Sequence, residues 1–174
     1  LKILKKLVFS KKNMPIFTIG HGTRPIQELL DLLRKYNIGY LADVRTQPYS
    51  KFNPQYNRES LHRSLRQQNI RYVYLGDTLG GRPHDPSCHD ITGKVDYNLI
   101  RQQDFFKKGI ERLKSAHHQE LNVTLLCSER KPELCHRSKL IGRTLYEENI
   151  PVLHIDENGD LKSQNTLSIN PYLL

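Results

Sequence analysis

Apolar positions along the chain fall into short runs that alternate with helical faces. Ile16-Phe17-Thr18-Ile19 is short enough for a buried strand. Gly20-His21-Gly22-Thr23 then leads into a stretch where Ile26, Leu29, Leu30, Leu33 and Tyr36 recur at helical spacing. Thr23 is expected to cap that helix, with Pro25 in its first turn. Tyr40 to Val44 reads as a second strand, closing in Arg45 and a loop too rich in Pro and Asn for regular structure as far as Tyr56. Leu61 and Leu65 mark a short helix, and the β-formers of Arg71 to Leu75 a third strand. A polar connection follows, running to about Asp96, and a connection of that length inside a compact domain usually signals function or mobility. Leu99, Phe106, Ile110 and Leu113 predict one helix, Asn122 to Leu126 a fourth strand, and Pro132 to Glu148 a further helix. Pro151 to Ile155 is the fifth strand, and Asn158-Gly159 predicts a tight hairpin turn into an edge strand near Asp160 to Ser163.

Strands alternating with helices predict an α/β fold: a mostly parallel five-stranded sheet with helices on both faces, plus a C-terminal hairpin or edge strand. The expected organisation is a basic arm over 1–15, a single α/β domain over 16–165 and a tail over 166–174. Ligands of such sheets bind outside the carboxyl ends of the strands. His21 follows the first strand, Asp43 and Arg45 close the second, Arg82 lies downstream of the third, and Cys127 and Glu129 close the fourth. The chemically unusual residues are therefore expected along one sheet edge.

Charge alters this picture less than its size suggests. Five lysines of the +9 excess sit in the first thirteen residues, which hold no acid, so most of the basic character belongs to the arm. The arm lacks a secretory pattern and is read as cytosolic, with Met14 as an alternative natural start. No apolar run approaches the ~18 residues of a membrane span, so no membrane partner is expected. Three cysteines without framework spacing fit reduced thiols in the cytoplasm.

The candidate chemistry lies in Cys127-Ser128-Glu129-Arg130-Lys131-Pro132-Glu133-Leu134-Cys135-His136-Arg137. Cys135, placed in the first turns of the predicted helix, is a candidate thiolate because the helix dipole and nearby cations favour the charged form. Cys127 reads equally well as a nucleophile and as a small core residue. The C-x7-C-H spacing is not that of a zinc motif, and successive helical residues point about 100° apart, so Cys135 and His136 are not expected to share an ion. No metal ligands are assigned on this reading. Arg45, Arg82 and Arg137, brought to one edge by separate loops, are expected to bind an anion, with His136 beside them, because guanidinium forks match phosphate or carboxylate. His21, Asp43 and Glu129 are candidate acid–base groups, although Asp43 reads equally as a structural partner of Arg45. Tyr49, Phe52 and Tyr56, interleaved with Lys51 and Arg58, offer a surface on which bases stack, or else tuck a loop onto the domain.

Thr18-Ile19-Gly20-His21, Asp43-Val44-Arg45 with Pro48 and Ser50, Asn53-Pro54-Gln55-Tyr56, Leu79-Gly80-Gly81-Arg82-Pro83 and Cys127-x-Glu129 through Cys135-His136-Arg137 together resemble a widespread microbial family. It is labelled domain of unknown function 488, and the resemblance covers roughly residues 16 to 157. It implies a compact α/β domain and marks His21, Asp43, Arg45, Arg82, Cys127, Glu129, Cys135, His136 and Arg137 as motif positions, without naming a reaction or a cofactor. Cys88 and His89 fall outside it. The leading expectation is an enzyme acting on an anionic, phosphate-bearing small molecule or nucleic acid. The alternatives are a non-catalytic nucleic-acid-binding module that uses Tyr49 to Arg71 and the basic arm, a thiol sensor in which Cys127 and Cys135 approach within disulfide reach, and a metal-binding protein.

Overall fold

The computed structural model describes residues 14–168. The first thirteen residues of the expected arm and residues 169–174 of the tail lie outside the described residues. Six strands form one sheet: β1 (Ile16–Gly20), β2 (Tyr40–Asp43), β3 (Arg71–Tyr74), β4 (Val123–Cys127), β5 (Val152–Ile155) and β6 (Leu161–Ser163), in the order β3-β2-β4-β1-β5-β6. The first five are parallel and β6 runs antiparallel to β5.

Successive residues of a strand face opposite sides of the sheet, so each central strand feeds two cores. Phe17, Ile19, Leu41 and Leu126 pack beneath α1 (Ile26–Lys35) and α2 (Arg58–Arg66). Ile16, Ala42, Val123 and Leu125 face the other way, toward α3 (Gly76–Leu79), α4 (Tyr97–Gln102), α5 (Asp104–His118) and α6 (Arg143–Glu147). A last short helix, α7 (Gln164–Ser168), follows β6. The near-continuous apolar character of β1 and β4 follows from being covered on both faces.

The connections give this sheet a reversal point. From β1 the chain moves through β2 to β3 across one face, then returns to β4 and on to β5 across the other. β4 therefore lies between β1 and β2, whose outgoing connections leave toward the opposite face. Diverging loops open a crevice at such a point, and β4 ends there in Cys127.

Four local expectations need correction. Thr23 does not cap α1: the cap position is Pro25, without a side-chain hydrogen bond. The single helix expected from Leu99 to Leu113 is two, because Gln103 is extended between α4 and α5. The hairpin before β6 is wider than a two-residue turn, since the Asp156 amide donates to the Asp160 carbonyl around Gly159 at φ +83°. Finally, Pro132 to Glu148 is not one helix. A 3-10 turn covers Pro132–Leu134, Cys135 is extended (φ −116°, ψ 145°), and a π-helical segment, Arg137–Gly142, runs into α6.

Candidate active site

That break at Cys135 decides the geometry of the site. Had Cys135 and His136 lain in one helix, their side chains would diverge. With Cys135 extended and His136 opening the helix, both turn inward to meet Cys127 at the end of β4. The Cys127 sulfur lies 3.5 Å from His136 Nδ1 and the Cys135 sulfur 3.7 Å from the same nitrogen. The three ligand atoms lie within 4.8 Å of one another. The divergence argument against a shared ion therefore fails for these two residues.

Several contacts hold the imidazole in place. Its Nε2–H donates to the Val44 carbonyl at 3.1 Å, which directs the Nδ1 lone pair at the sulfurs. Gly81 packs on the ring so closely that a Cβ there would lie 2.6 Å from His136 Cγ. Backbone amides support the sulfurs: Arg137 N–H donates to Cys135 at 3.4 Å, and the Glu129 amide donates to Cys127. The hydrogen bond from Cys135, followed by the pairing with His136 and the bond from the Glu129 amide, outweighs burial and holds the Cys127 thiol well below its ordinary range. Cys127 in turn pushes Cys135 up, so the two sulfurs differ in character. This reverses the expectation that the helix start makes Cys135 the thiolate.

Cys127, Cys135 and His136 are 7%, 3% and 8% exposed and form the floor of a cavity of about 570 Å³. Its walls include Arg45, Arg82, Glu129 and Tyr49. His84 and Tyr97 also line it, from the long polar connection and the start of α4. That connection is built rather than open: Asp85 caps a 3-10 turn, His89 bridges Val95, and Asp90 accepts from the amides of Thr92 and Lys94. Sequence reasoning missed His84 and Tyr97 because neither belongs to a motif. Their one signal was the length of the loop that carries them. Burial, with Cys135 and Cys127 nearby, raises the Tyr97 phenol.

Apart from Arg45, the other candidates are brought close to the cavity without entering it. Asp43 is wholly buried and takes Arg45 in a two-point ion pair, Nε to Oδ1 at 2.8 Å and Nη2 to Oδ2 at 2.6 Å. It also accepts from the Tyr72 hydroxyl at 2.8 Å, which leaves it a structural partner rather than a base facing substrate. Arg45 reaches the cavity wall, yet its Nη2 also donates to the Tyr56 carbonyl at 2.9 Å. His21 donates from Nδ1 to the Gly22 carbonyl at 2.8 Å, and its Nε2 accepts from Arg45 Nη1 at 3.3 Å. Its ring stacks on Tyr56 with centroids 4.2 Å apart. Burial is the main reason the His21 imidazole sits below its usual range. His21 therefore lies behind the cavity wall, as does Tyr56, whose hydroxyl donates to the Arg24 carbonyl at 3.0 Å.

Arg137 corrects the expected arginine trio. It is completely buried and holds the loop after β4: Nε–H donates to Thr18 Oγ1 at 3.2 Å, Nη2 to the Arg130 carbonyl at 3.0 Å, and Nη1 to the Glu129 carbonyl. Gly20 leaves room for this, since a Cβ there would overlap the Glu129 carbonyl oxygen at 1.8 Å. Arg24, which the sequence reading did not select, is likewise buried, donating to the carbonyls of Gly20 and Asp156. Arg82 alone of the trio is exposed at the cavity, and its guanidinium has no hydrogen-bond or ion-pair partner among the described residues. Cys88 is a buried member of the core beside Phe106 and Ile100.

The family model described as Domain of unknown function DUF488 matches residues 25–143, more than half of the chain. Searches of the curated proteins and of the solved structures give no match. The matched segment runs from just before α1 to the first residue of α6, taking in Arg45, Arg82, Cys127, Cys135 and His136, and on that match the chain belongs to the DUF488 family.

Proposed function

We propose that this protein is an enzyme whose substrate carries an anionic, phosphate-type group and reacts in the cavity above Cys127, Cys135 and His136. One observation carries the reading: two sulfurs and an imidazole nitrogen converge on the floor of a cavity whose wall presents the Arg82 guanidinium, which has no partner among the described residues. A core has no packing reason to gather such groups, whereas a reaction centre needs reactive atoms below and an orienting charge at the side. Arg82 takes the anion by its fork of N–H donors. Arg45, already neutralised by Asp43, shapes the wall, and Glu129 is the carboxylate placed to accept a proton there.

The test is a panel of nucleoside mono-, di- and triphosphates and a short single-stranded oligonucleotide, assayed for turnover and binding. Wild-type protein is expected to turn over at least one member. Cys127→Ser is expected to abolish that turnover, and Arg82→Ala to weaken binding about 10- to 100-fold, the range for a lost hydrogen bond to a charged group. Absence of turnover together with binding indifferent to Arg82 across the panel overturns the reading.

A second reading, binding of a nucleic-acid strand without catalysis, is favoured by the loop beside the cavity. Tyr49 is 73% and Phe52 90% exposed, with Lys51 between them, whereas Tyr56 is buried and takes no part. This reading expects oligonucleotide affinity that falls steeply with salt and drops in a Tyr49→Ala, Phe52→Ala double variant. Salt-independent binding removes it.

A further inference from the structure

We infer that Cys127, Cys135 and His136 form a three-ligand site for a zinc-like divalent cation, with the fourth coordination position open to the cavity. This rests on reading the cavity as a reaction centre and names the chemistry of its floor.

The first argument is one of valence. His136 Nδ1 can bond one partner at a time, because its other nitrogen is committed to the Val44 carbonyl. Yet two sulfurs approach that same atom, at 3.5 and 3.7 Å. One hydrogen bond accounts for one of these contacts, and the Cys135 thiol is left to donate to Cys127 rather than to the nitrogen it also approaches. A cation set among the three atoms satisfies all of them together.

The second argument is metric. For zinc with Zn–S of about 2.3 Å and Zn–N of about 2.0 to 2.1 Å in a tetrahedron, the S···N edge comes to about 3.6 Å. Both observed S···N distances lie close to that edge. The surroundings are also those of a metal centre. The ligating imidazole donates its remote N–H to a backbone carbonyl, the partner that fixes orientation at histidine–metal sites. Each sulfur accepts a backbone amide, from Glu129 and from Arg137. Two thiolates and a neutral imidazole balance a divalent charge, which allows the cluster to be buried.

Donor type and count point to the class of ion and of chemistry. Two sulfurs and one imidazole nitrogen favour zinc over magnesium or calcium, which take oxygen ligands. Structural zinc sites close with four protein ligands, whereas catalytic ones keep a position for water or substrate. Three ligands at the bottom of an open cavity match the second kind. An ion bound there would present its open position to a substrate oxygen or a water, with Glu129 and Arg82 on the walls.

The experiment uses the full chain purified without a polyhistidine tag, reduced, stripped with a chelator and titrated with zinc or cobalt(II). The expected result is one equivalent per chain. The cobalt form should show thiolate-to-metal charge transfer and the intense visible bands of a tetrahedral site. Cys127→Ser, Cys135→Ser and His136→Ala should each lower affinity by about 100-fold or more, beyond the cost of losing an outer-shell partner. X-ray absorption of the zinc-loaded wild type should find two sulfurs and one imidazole nitrogen around the ion, a readout that does not depend on a variant folding. Failure of the folded, reduced wild type to take up either ion, or a first shell without sulfur, overturns the site. Arg82→Ala separates this inference from the one beneath it. If that variant loses phosphate-type substrate while wild type binds no metal, the enzyme reading stands and the metal site falls. If metal binds as expected while wild type and Arg82→Ala treat the substrate panel identically, the metal site stands and the anionic-substrate reading falls.

Discussion

Two polar regions meet at the carboxyl edge of this sheet, and they differ in whether their bonds are complete. Around Asp43, the carboxylate holds Arg45 by two contacts and accepts from Tyr72, while Arg45 passes one N–H to His21. Around Arg137 a second closed chain runs from its Nε–H to Thr18, from the Thr18 hydroxyl to His154 Nδ1 at 2.7 Å, and from His154 Nε2 to Gln164 at 2.7 Å. At Cys127, Cys135 and His136 the balance is reversed, with two sulfurs directed at one nitrogen beneath an open cavity. A network whose donors and acceptors match is scaffold; a cluster left mismatched next to solvent is where a ligand completes the structure.

The strongest way to break this comparison is to open the closed side. Asp43→Ala strands the buried Arg45 guanidinium and should cost about 3 to 5 kcal/mol of stability, read by denaturant unfolding. A loss below about 1 kcal/mol would mean that the pair is no scaffold.

Next in size is pH. Burial above all depresses the His154 imidazole from its usual 6.5 to about 4. The folded protein therefore keeps this ring neutral while the unfolded chain protonates it first. The resulting stability is fully present above about pH 6.5 and is lost as pH falls toward 4, amounting to about 3 kcal/mol. Unfolding curves between pH 7.5 and 4 measure it, and His154→Gln should flatten the slope.

Much of the closed side was legible in the sequence as residue type but not as role. The strands and the edge on which His21, Asp43, Arg45, Cys127 and Glu129 gather follow from hydrophobic runs and alternation, because burial on both faces demands them. The role of Arg137 was not legible. Its partners are the carbonyls of Glu129 and Arg130 and the Thr18 hydroxyl, and Thr18 comes near only when β1 pairs with β4. The convergence of Cys135 and His136 was hidden for a related reason. Pro132 looks like the first turn of a continuous helix, and nothing local announces that the chain extends at Cys135 before the π-helical segment begins.

A smaller perturbation sharpens the contrast from the open side. Gly81→Ala places a Cβ against His136 and should shift the ring, at a cost of about 1 to 3 kcal/mol for overpacking. Its larger effect should fall on metal affinity and turnover, measured at matched folded fraction. Arg82→Ala should move stability least, by no more than about 0.5 kcal/mol, because its guanidinium has no ion pair or hydrogen bond to lose among the described residues. Its cost should appear in substrate binding alone.

The most direct measurement compares turnover of the phosphate-bearing panel by wild type, Cys135→Ser and Arg82→Ala, each shown to be folded by circular dichroism. The predicted result is turnover by wild type, none by Cys135→Ser, and a raised KM in Arg82→Ala. Turnover at the wild-type rate in both variants would contradict the placement of the reaction centre on the cavity floor.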